Sequence, residues 1–230
     1  MSMNDTSAAP ACVGIILDGN RRWAKANGVS KLEGHHAGME TLKKTVRFVR
    51  DGNIKHLIVY AFSTENWNRD TDEVSYLMDL FRKAIQKEMS ELGKENVRVR
   101  FIGQRERFSE DLQKAMNTTE KETAKNEAIT LWICLSYGGR AEIVAAANAA
   151  VEKSDLITEE LLAKNLWTSE MPDPDIIIRT GGEKRLSNFL LWQSAYSELF
   201  FTDTLCPDFN KEEFDSILTE FASRERRRGK

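Results

Sequence analysis

Short apolar runs alternate with longer amphipathic segments along the chain, and the alternation predicts the fold. Residues 12–17, 56–62, 97–102, 129–135, 175–178 and 196–201 read as strands. The run 129–135 is apolar at almost every position, as expected of a strand buried on both faces. Between the strands the period changes to that of a helix. Met39, Leu42, Val46 and Val49 make one stripe over 37–50; Val74, Leu77, Met78, Phe81, Ile85, Met89 and Leu92 make another over 72–92. Further helices are predicted over 109–126, 141–151, 158–166 and 211–226, with Thr71, Ser109 and Asn210 at the N-cap positions of the second, third and last. Strand-helix alternation of this kind predicts an α/β fold: a single domain with a mostly parallel central sheet of about six strands, flanked by helices.

The segments that follow the strands share a chemistry. Residues 12–17 run into Asp18-Gly19-Asn20-Arg21-Arg22-Trp23, and 56–62 into Ser63-Thr64-Glu65-Asn66-Trp67-Asn68-Arg69. Gly103, Arg105 and Arg107 follow the third strand, Tyr137-Gly138-Gly139-Arg140 the fourth, and Arg179-Thr180-Gly181-Gly182-Glu183-Lys184-Arg185-Leu186-Ser187 the fifth. In a parallel sheet the carboxyl ends of the strands share an edge, where ligands bind. Five segments therefore bring arginines, glycines, hydroxyls and acids to one crevice.

The residue types suit phosphate. Arg22, Arg69, Arg179 and Arg185 offer planar forks for phosphate oxygens. Gly19, Gly181 and Gly182 allow close backbone approach, and Ser187 offers a hydroxyl. Asp18 and Glu198 are the candidate Mg²⁺ ligands, being hard oxygen donors. Several arginines with one or two acids suit two diphosphates bound together, with a metal on one or both. Each residue also has a plainer reading: Asp18 as a helix cap, Glu198 as half of an ion pair, His35 as a polar loop residue, and the 72–92 stripe as core instead of a channel wall. The sequence has no GxxxxGK[ST], GxGxxG or DDxxD, which argues against a nucleotide site. The prolines of Pro172-Asp173-Pro174-Asp175 prevent its acids from sharing a helical face.

Bulk properties narrow the field. The chain has 230 residues and a formal charge of -3, so no basic field points to nucleic acid. Cys12, Cys134 and Cys206 are widely spaced, form no zinc pattern and read as free thiols. Residues 1–12 are expected to be a flexible N-terminal segment ahead of the domain at 13–230. They lack the basic and apolar regions of a signal peptide, and the near-apolar stretch 143–151 is too short to span a bilayer. The expectation is a cytoplasmic protein. Arg224, Arg226, Arg227 and Arg228 form either a solvated tail or a contact for a partner subunit or an anionic membrane surface.

The segments LDGNRRWA, GHHAG, YAFSTENWNR, SYGGR and IIIRTGGEKRLSNFLLWQSAYSELFF, followed by RERRR, run in this order from about Val13 to Arg228. They resemble the cis-prenyltransferases. The resemblance implies Mg²⁺-dependent, repeated condensation of isopentenyl diphosphate onto an allylic diphosphate, usually farnesyl diphosphate, with cis geometry. It also implies a homodimer, an apolar tunnel for the growing chain, and peripheral contact with the inner membrane face for product release. By the resemblance, Asp18 is the essential metal-binding carboxylate and Glu198 the second. Gly19, Asn20, Arg21, Arg22, Lys31 and His35 cradle the allylic diphosphate. Arg179, Arg185, Leu186 and Ser187 form the isopentenyl diphosphate site. Asn66, beside Ser63, stands where proton removal is placed, and Trp23, Thr64, Glu65, Trp67 and Arg69 stand at substrate-contacting positions. Four positions depart from the pattern: Lys31 replaces arginine, Trp132 and Ser136 replace asparagines on what period two makes one side of the fourth strand, and Cys206 replaces tryptophan. The product the resemblance implies is a polyprenyl diphosphate such as undecaprenyl diphosphate, the lipid carrier precursor for cell-wall synthesis; the alternative is a short- or medium-chain cis-prenyl diphosphate. A non-catalytic partner subunit of the same fold is the remaining alternative, disfavoured because the charged residues are all present.

Overall fold

Every strand pairing in the sheet is parallel. In a computed structural model, which describes residues 9–152 and 156–225, β1 (Cys12–Ile16), β2 (His56–Ser63), β3 (Val97–Ile102), β4 (Ile129–Tyr137), β5 (Ile176–Arg179) and β6 (Glu198–Phe201) lie in the order β3-β4-β2-β1-β5-β6. Among the described residues eight α-helices connect or follow them: α1 (Asn20–Ala26), α2 (Lys31–Asp51), α3 (Thr71–Lys83), α4 (Met89–Lys94), α5 (Glu110–Glu122), α6 (Gly139–Val151), α7 (Glu159–Asn165) and α8 (Lys211–Ser223). The two central strands, β2 and β1, have apolar residues on both faces because helices and loops cover both.

Local chemistry explains where the elements depart from the stripes. Helix α2 begins well before its apolar stripe because Ser30 closes a capping box. Its hydroxyl accepts from Glu33 N–H at 3.2 Å and its own N–H donates to the Glu33 carboxylate at 2.9 Å. His35 is therefore on a helix, not in a loop. The 72–92 helix becomes α3, a π turn at Ala84–Glu88 and α4. Its cap is Asp70 instead of Thr71, with Asp70 Oδ1 accepting from Asp72 N–H at 2.9 Å. Asn210 caps α8 as expected, accepting from Glu213 N–H at 3.0 Å, whereas the Ser109 side chain makes no capping bond to α5. At the start of the chain, Ala11 and Cys12 donate their N–H groups to Asp175 Oδ2 at 2.8 and 3.1 Å. Residues 11–12 are thus tied to the sheet, and residues 1–8 lie outside those described. So do Arg226, Arg227 and Arg228. Arg224 is paired with Glu198 and Glu220, both at 2.6 Å, and is not a free tail residue.

The sheet separates two cores. On one face Val13, Ile15, Leu57, Val59, Leu131, Ile133 and Leu135 pack with Leu42 and Val46 of α2, Leu77 and Phe81 of α3, Leu112 of α5 and Phe221 of α8. On the other, Cys12, Ile16, Ile58, Trp132, Cys134, Tyr137 and Ile177 pack with Phe189 and Leu190. Each large side chain fully buried in this way contributes about 1.5–3 kcal/mol. The alternation breaks at Ser136, whose φ is +50°. Its hydroxyl accepts from Trp67 Nε1 at 2.9 Å on the first face, while the next residue, Tyr137, joins the second core. Trp132 and Ser136 therefore point to opposite sides, against the period-two expectation. Trp132, hydrogen bonded through Nε1 to His56 Nδ1 at 3.2 Å, belongs to the face away from α3.

Candidate active site

The crevice is organised around Asp18, just beyond the end of β1. Its backbone is held independently of its carboxylate. Asp18 N–H donates to Thr180 Oγ1 at 2.9 Å, and its carbonyl accepts from Thr180 Oγ1 at 2.7 Å and from Cys206 N–H at 3.0 Å. Gly19 then turns the chain into α1 with φ +110°, and a Cβ there would lie 2.9 Å from Leu205 Cδ2. The glycine is thus required by the turn and by the packing behind it. Helix α1 lies unusually near α2 because GHHAG puts two glycines on the facing side. A Cβ on Gly34 would come 2.4 Å from Asn20 O, and one on Gly38 2.5 Å from Asn20 Oδ1. This approach sets Asn20 beside His35. Asn20 Oδ1 and His35 Nε2 are both buried without a hydrogen-bond partner. Burial, aided by Arg69 and Arg21 and opposed by Glu73, holds the His35 imidazole below its ordinary value, so it is neutral at pH 7.

From the other side comes Arg179, the last residue of β5. Its side chain is only 5% exposed. Nη2 donates to Asp18 Oδ2 at 2.9 Å, and Nη1 donates to Ser187 Oγ at 2.7 Å and to the Arg185 carbonyl at 2.5 Å. Arg22 Nη2 stands 3.5 Å from the other Asp18 oxygen. Gly181, at φ +87°, leaves room for that approach, since a Cβ would lie 2.6 Å from Arg22 Nη2. One carboxylate thus lies between guanidiniums from helix α1 and strand β5. A second acid, Glu73 in the first turn of α3, gathers Arg69 Nη1 at 3.0 Å, His35 Nε2 at 3.7 Å and Arg21 Nη1 at 3.8 Å.

Asp18, His35, Arg69, Arg179 and Ser187 line a cavity of about 320 Å³. Its lining is mixed: Asp18, Asn20, His35, Ser63, Asn66, Arg69, Arg179 and Ser187 are polar, and Met39, Leu42, Val59, Phe62, Leu77, Leu80 and Phe81 are apolar. A wider recess of about 710 Å³ adjoins it over Gly19, Arg21, Arg22, Lys25 and Lys31. Asn66 Oδ1 accepts from Ser63 N–H at 3.1 Å, which leaves its NH₂ as the free group.

Other expected residues are placed elsewhere. Glu198 opens β6 in register with Ile176, at the amino-terminal edge of the sheet, whereas Arg179 pairs with Phe201 at the other end. The structure therefore does not bring Glu198 to Asp18, and its carboxylate is engaged by Arg224. The Trp23 indole N–H donates to Asp208 Oδ1 at 2.8 Å. Trp67 is held by Ser136 and lies under Arg107, 4.7 Å from the ring centroid. Glu65 accepts from Asn188, Thr64 sits against Gly138, and Leu186 packs on the second core. Arg185 is exposed and paired with Glu183. Conversely, the sequence reading passes over Glu73, which looks like an ordinary helix-start acid. It also passes over Tyr60, whose hydroxyl lies 3.2 Å from Ser187 O and whose ring stacks on Phe189 at 4.7 Å.

The family model Prenyltransf, described as "Putative undecaprenyl diphosphate synthase", matches residues 16–229. The chain belongs to the undecaprenyl diphosphate synthase family. An isoprenyl transferase of Neisseria gonorrhoeae is 45% identical over 97% of this chain and 91% of its own length. A farnesyl-diphosphate-specific ditrans,polycis-undecaprenyl-diphosphate synthase of Legionella pneumophila is 44% identical over 96% of this chain and 95% of its own. Lavandulyl diphosphate synthase from Lavandula x intermedia, solved with dimethylallyl diphosphate, superposes with a TM-score of 0.91 at 35% identity, covering 96% of this chain and 99% of that one. The family thus keeps one fold across different products, and the site has to be argued from its residues.

Among the described residues no group of three His, Cys, Asp or Glu side chains could hold a metal by itself. The Asp18 carboxylate is a hard oxygen donor, of the kind Mg²⁺ takes singly beside phosphate oxygens and water. No helix of the described residues is long and apolar enough to cross a membrane.

Proposed function

We propose that the chain is an Mg²⁺-dependent cis-prenyltransferase that adds isopentenyl diphosphate repeatedly to an allylic primer such as farnesyl diphosphate, giving a polyprenyl diphosphate. One observation carries the reading: the Asp18 carboxylate lies between Arg22 of α1 and Arg179 of β5, in a cavity lined by both charged and apolar side chains. Two anionic heads and one hydrocarbon tail suit such a site. The fully named relative, specific for farnesyl diphosphate, supports the primer.

The roles follow from the atoms. Arg21, Arg22, Lys31 and the buried pair Asn20–His35 receive the allylic diphosphate. Arg179, Arg185 and Ser187 receive the isopentenyl diphosphate. Asp18 would hold Mg²⁺, which when bound supplies positive charge to the departing diphosphate. The arginines share that task, stabilising charge as the allylic C–O bond breaks and its electron pair leaves with the diphosphate. The new bond forms between the allylic carbon and the terminal alkene carbon of the isopentenyl unit, and a proton is then lost. A neutral amide is too weak a base to take it. Since Asn66 Oδ1 is committed to Ser63, its NH₂ acts as a donor that orients a diphosphate oxygen, and that oxygen accepts the proton. The apolar side chains of the cavity receive the chain, and the space between them is the proposed start of the tunnel. A homodimer belongs to the proposal, as the family resemblance implies.

The test is incorporation of labelled isopentenyl diphosphate, with and without farnesyl diphosphate and with Mg²⁺ present or chelated, followed by mass analysis of the lipid. Incorporation that needs both primer and Mg²⁺ is expected. A purified chain that makes no prenyl product with any allylic primer would overturn the reading.

A further inference from the structure

Asn188 bonds to two other segments around the crevice without lining the cavity. Its Nδ2 donates to Glu65 Oε1 at 2.7 Å, its Oδ1 accepts from Arg140 N–H at 2.9 Å, and its carbonyl accepts from Gly139 N–H at 2.7 Å. Glu65 belongs to the 3₁₀ turn Thr64–Asn68 that carries Asn66. Gly139 and Arg140 open α6. On its own strand of chain, Asn188 follows Ser187, whose hydroxyl accepts from Arg179.

The backbone here is unusual. Ser187, Asn188 and Leu190 have φ of 49°, 68° and 46°. Side chains other than Gly, Asn and Asp rarely adopt this region, and such a run persists only where surrounding bonds over-determine it. Asparagine tolerates the left-handed backbone and offers a side chain that donates and accepts at once. Gly138 makes the space: a Cβ there would lie 2.6 Å from Asn188 Nδ2 and 2.5 Å from Thr64 Oγ1.

We infer that Asn188 is a positioning residue that couples, through Glu65, the Arg185–Ser187 segment receiving isopentenyl diphosphate to the turn presenting Asn66 to the cavity. The inference rests on the substrate assignment proposed above. Its consequence is that the two half-sites keep a fixed spacing, which bond formation between two bound substrates requires. Glu65 and Thr64 then serve the site by holding the turn in place and not by touching substrate.

Exchanging donor and acceptor across the pair tests the coupling. Asn188→Asp keeps the left-handed tolerance and the acceptor for Arg140, but sets a second carboxylate against Glu65. It should lower kcat/KM for isopentenyl diphosphate by about tenfold, with KM for the allylic primer little changed. Glu65→Gln restores a donor opposite that introduced carboxylate. It should recover most of the loss in the Asn188→Asp background and give no gain in the wild-type background. Equal effects of Glu65→Gln in both backgrounds would overturn the coupling. Should Asn188→Asp not fold, Gly138→Ala displaces the Asn188 amide from the opposite side and should produce the same selective loss in kcat/KM for isopentenyl diphosphate; an unchanged kcat/KM overturns the proposal. Hydrogen exchange over 185–190 separates the coupling from the substrate reading. Protection there should fall in Asn188→Asp and return in the double variant even if the wild-type chain transfers no prenyl unit, and unchanged protection counts against the coupling.

Discussion

The two cationic halves of the crevice are built in opposite ways. On the β1 side, Arg21 and Arg22 are about half exposed, at 51% and 49%, and their ion pairs are long, at 3.8 and 3.5 Å. What is fixed there is neutral: Asn20 and neutral His35, held by the close approach of α1 to α2. On the β5 side, Arg179 is buried and its guanidinium makes three bonds of 2.5–2.9 Å. Folding has already ordered that side chain, whereas the β1 cations lose their freedom only on binding. Arg179 is therefore a preset anchor of the β5 half, although Arg185 beside it is exposed, whereas both arginines of the β1 half are solvent-screened and are expected to lose a bound anion more readily as salt rises.

Asp18 joins the halves, so its removal should have the largest effect. Asp18→Ala is expected to lower kcat by about a thousandfold or more, since both the metal position and the order of Arg179 and Arg22 depend on its oxygens. Stability should change far less, because Thr180 and Cys206 hold the Asp18 backbone. Steady-state turnover beside a thermal melt checks both halves of this statement, and near-normal turnover would remove Asp18 from the mechanism.

Next in size, Arg179→Lys tests the preset anchor. An ammonium cannot reach Asp18, Ser187 and the Arg185 carbonyl in the geometry of a planar fork. Loss of one or two charge-assisted bonds should cost roughly 10- to 100-fold in kcat/KM for isopentenyl diphosphate. It should also cost about 1–3 kcal/mol of stability, or roughly 3–10 °C in Tm. Arg22→Lys is the matched change on the flexible half. An exposed, half-ordered arginine should give up tenfold or less in KM for the allylic primer, and its effect on stability should stay within about 0.5 kcal/mol. Equal penalties for the two variants would erase the contrast between the halves.

What could be read beforehand divides along similar lines. The strands were legible because buried parallel strands carry apolar runs, dense in β1, β4 and β5 and thinner in the edge strands β3 and β6, and the crevice followed from knowing that their carboxyl ends share an edge. Asp18, Arg22 and Arg179 were legible for the same reason: each lies at or just after a strand end. Glu198 was not, because its motif says nothing of which end of β6 it occupies, and register with Ile176 puts it at the far edge. Ser136 and Trp132 misled through a single left-handed residue, which a period-two reading cannot anticipate. GHHAG hid a helix because its glycines serve contact with α1 and leave no apolar stripe. Trp23 and Trp67 look like ligand-binding aromatics in sequence, yet their indole N–H groups are spent on Asp208 and Ser136, a choice that depends on tertiary neighbours alone.

The smallest expected effect concerns Lys31, the residue where the flexible half departs from the family pattern. It is the first residue of α2, exposed, and it borders the recess shared with Arg21, Arg22 and Arg69. The Ser30–Glu33 capping box fixes the backbone there, so the side chain can be changed without moving the helix. Lys31→Arg replaces a point charge with a fork able to hold two phosphate oxygens. It should lower KM for the allylic primer by about twofold to fivefold, the gain of a fraction of one exposed charge-assisted bond. KM for isopentenyl diphosphate and Tm should not move, because no atom of the β5 half depends on residue 31. The gain should shrink as ionic strength rises, which a titration in KCl would read directly. A change in both KM values would mean that the halves are not independently built and that the flexible side reaches further into the site than its ion pairs indicate.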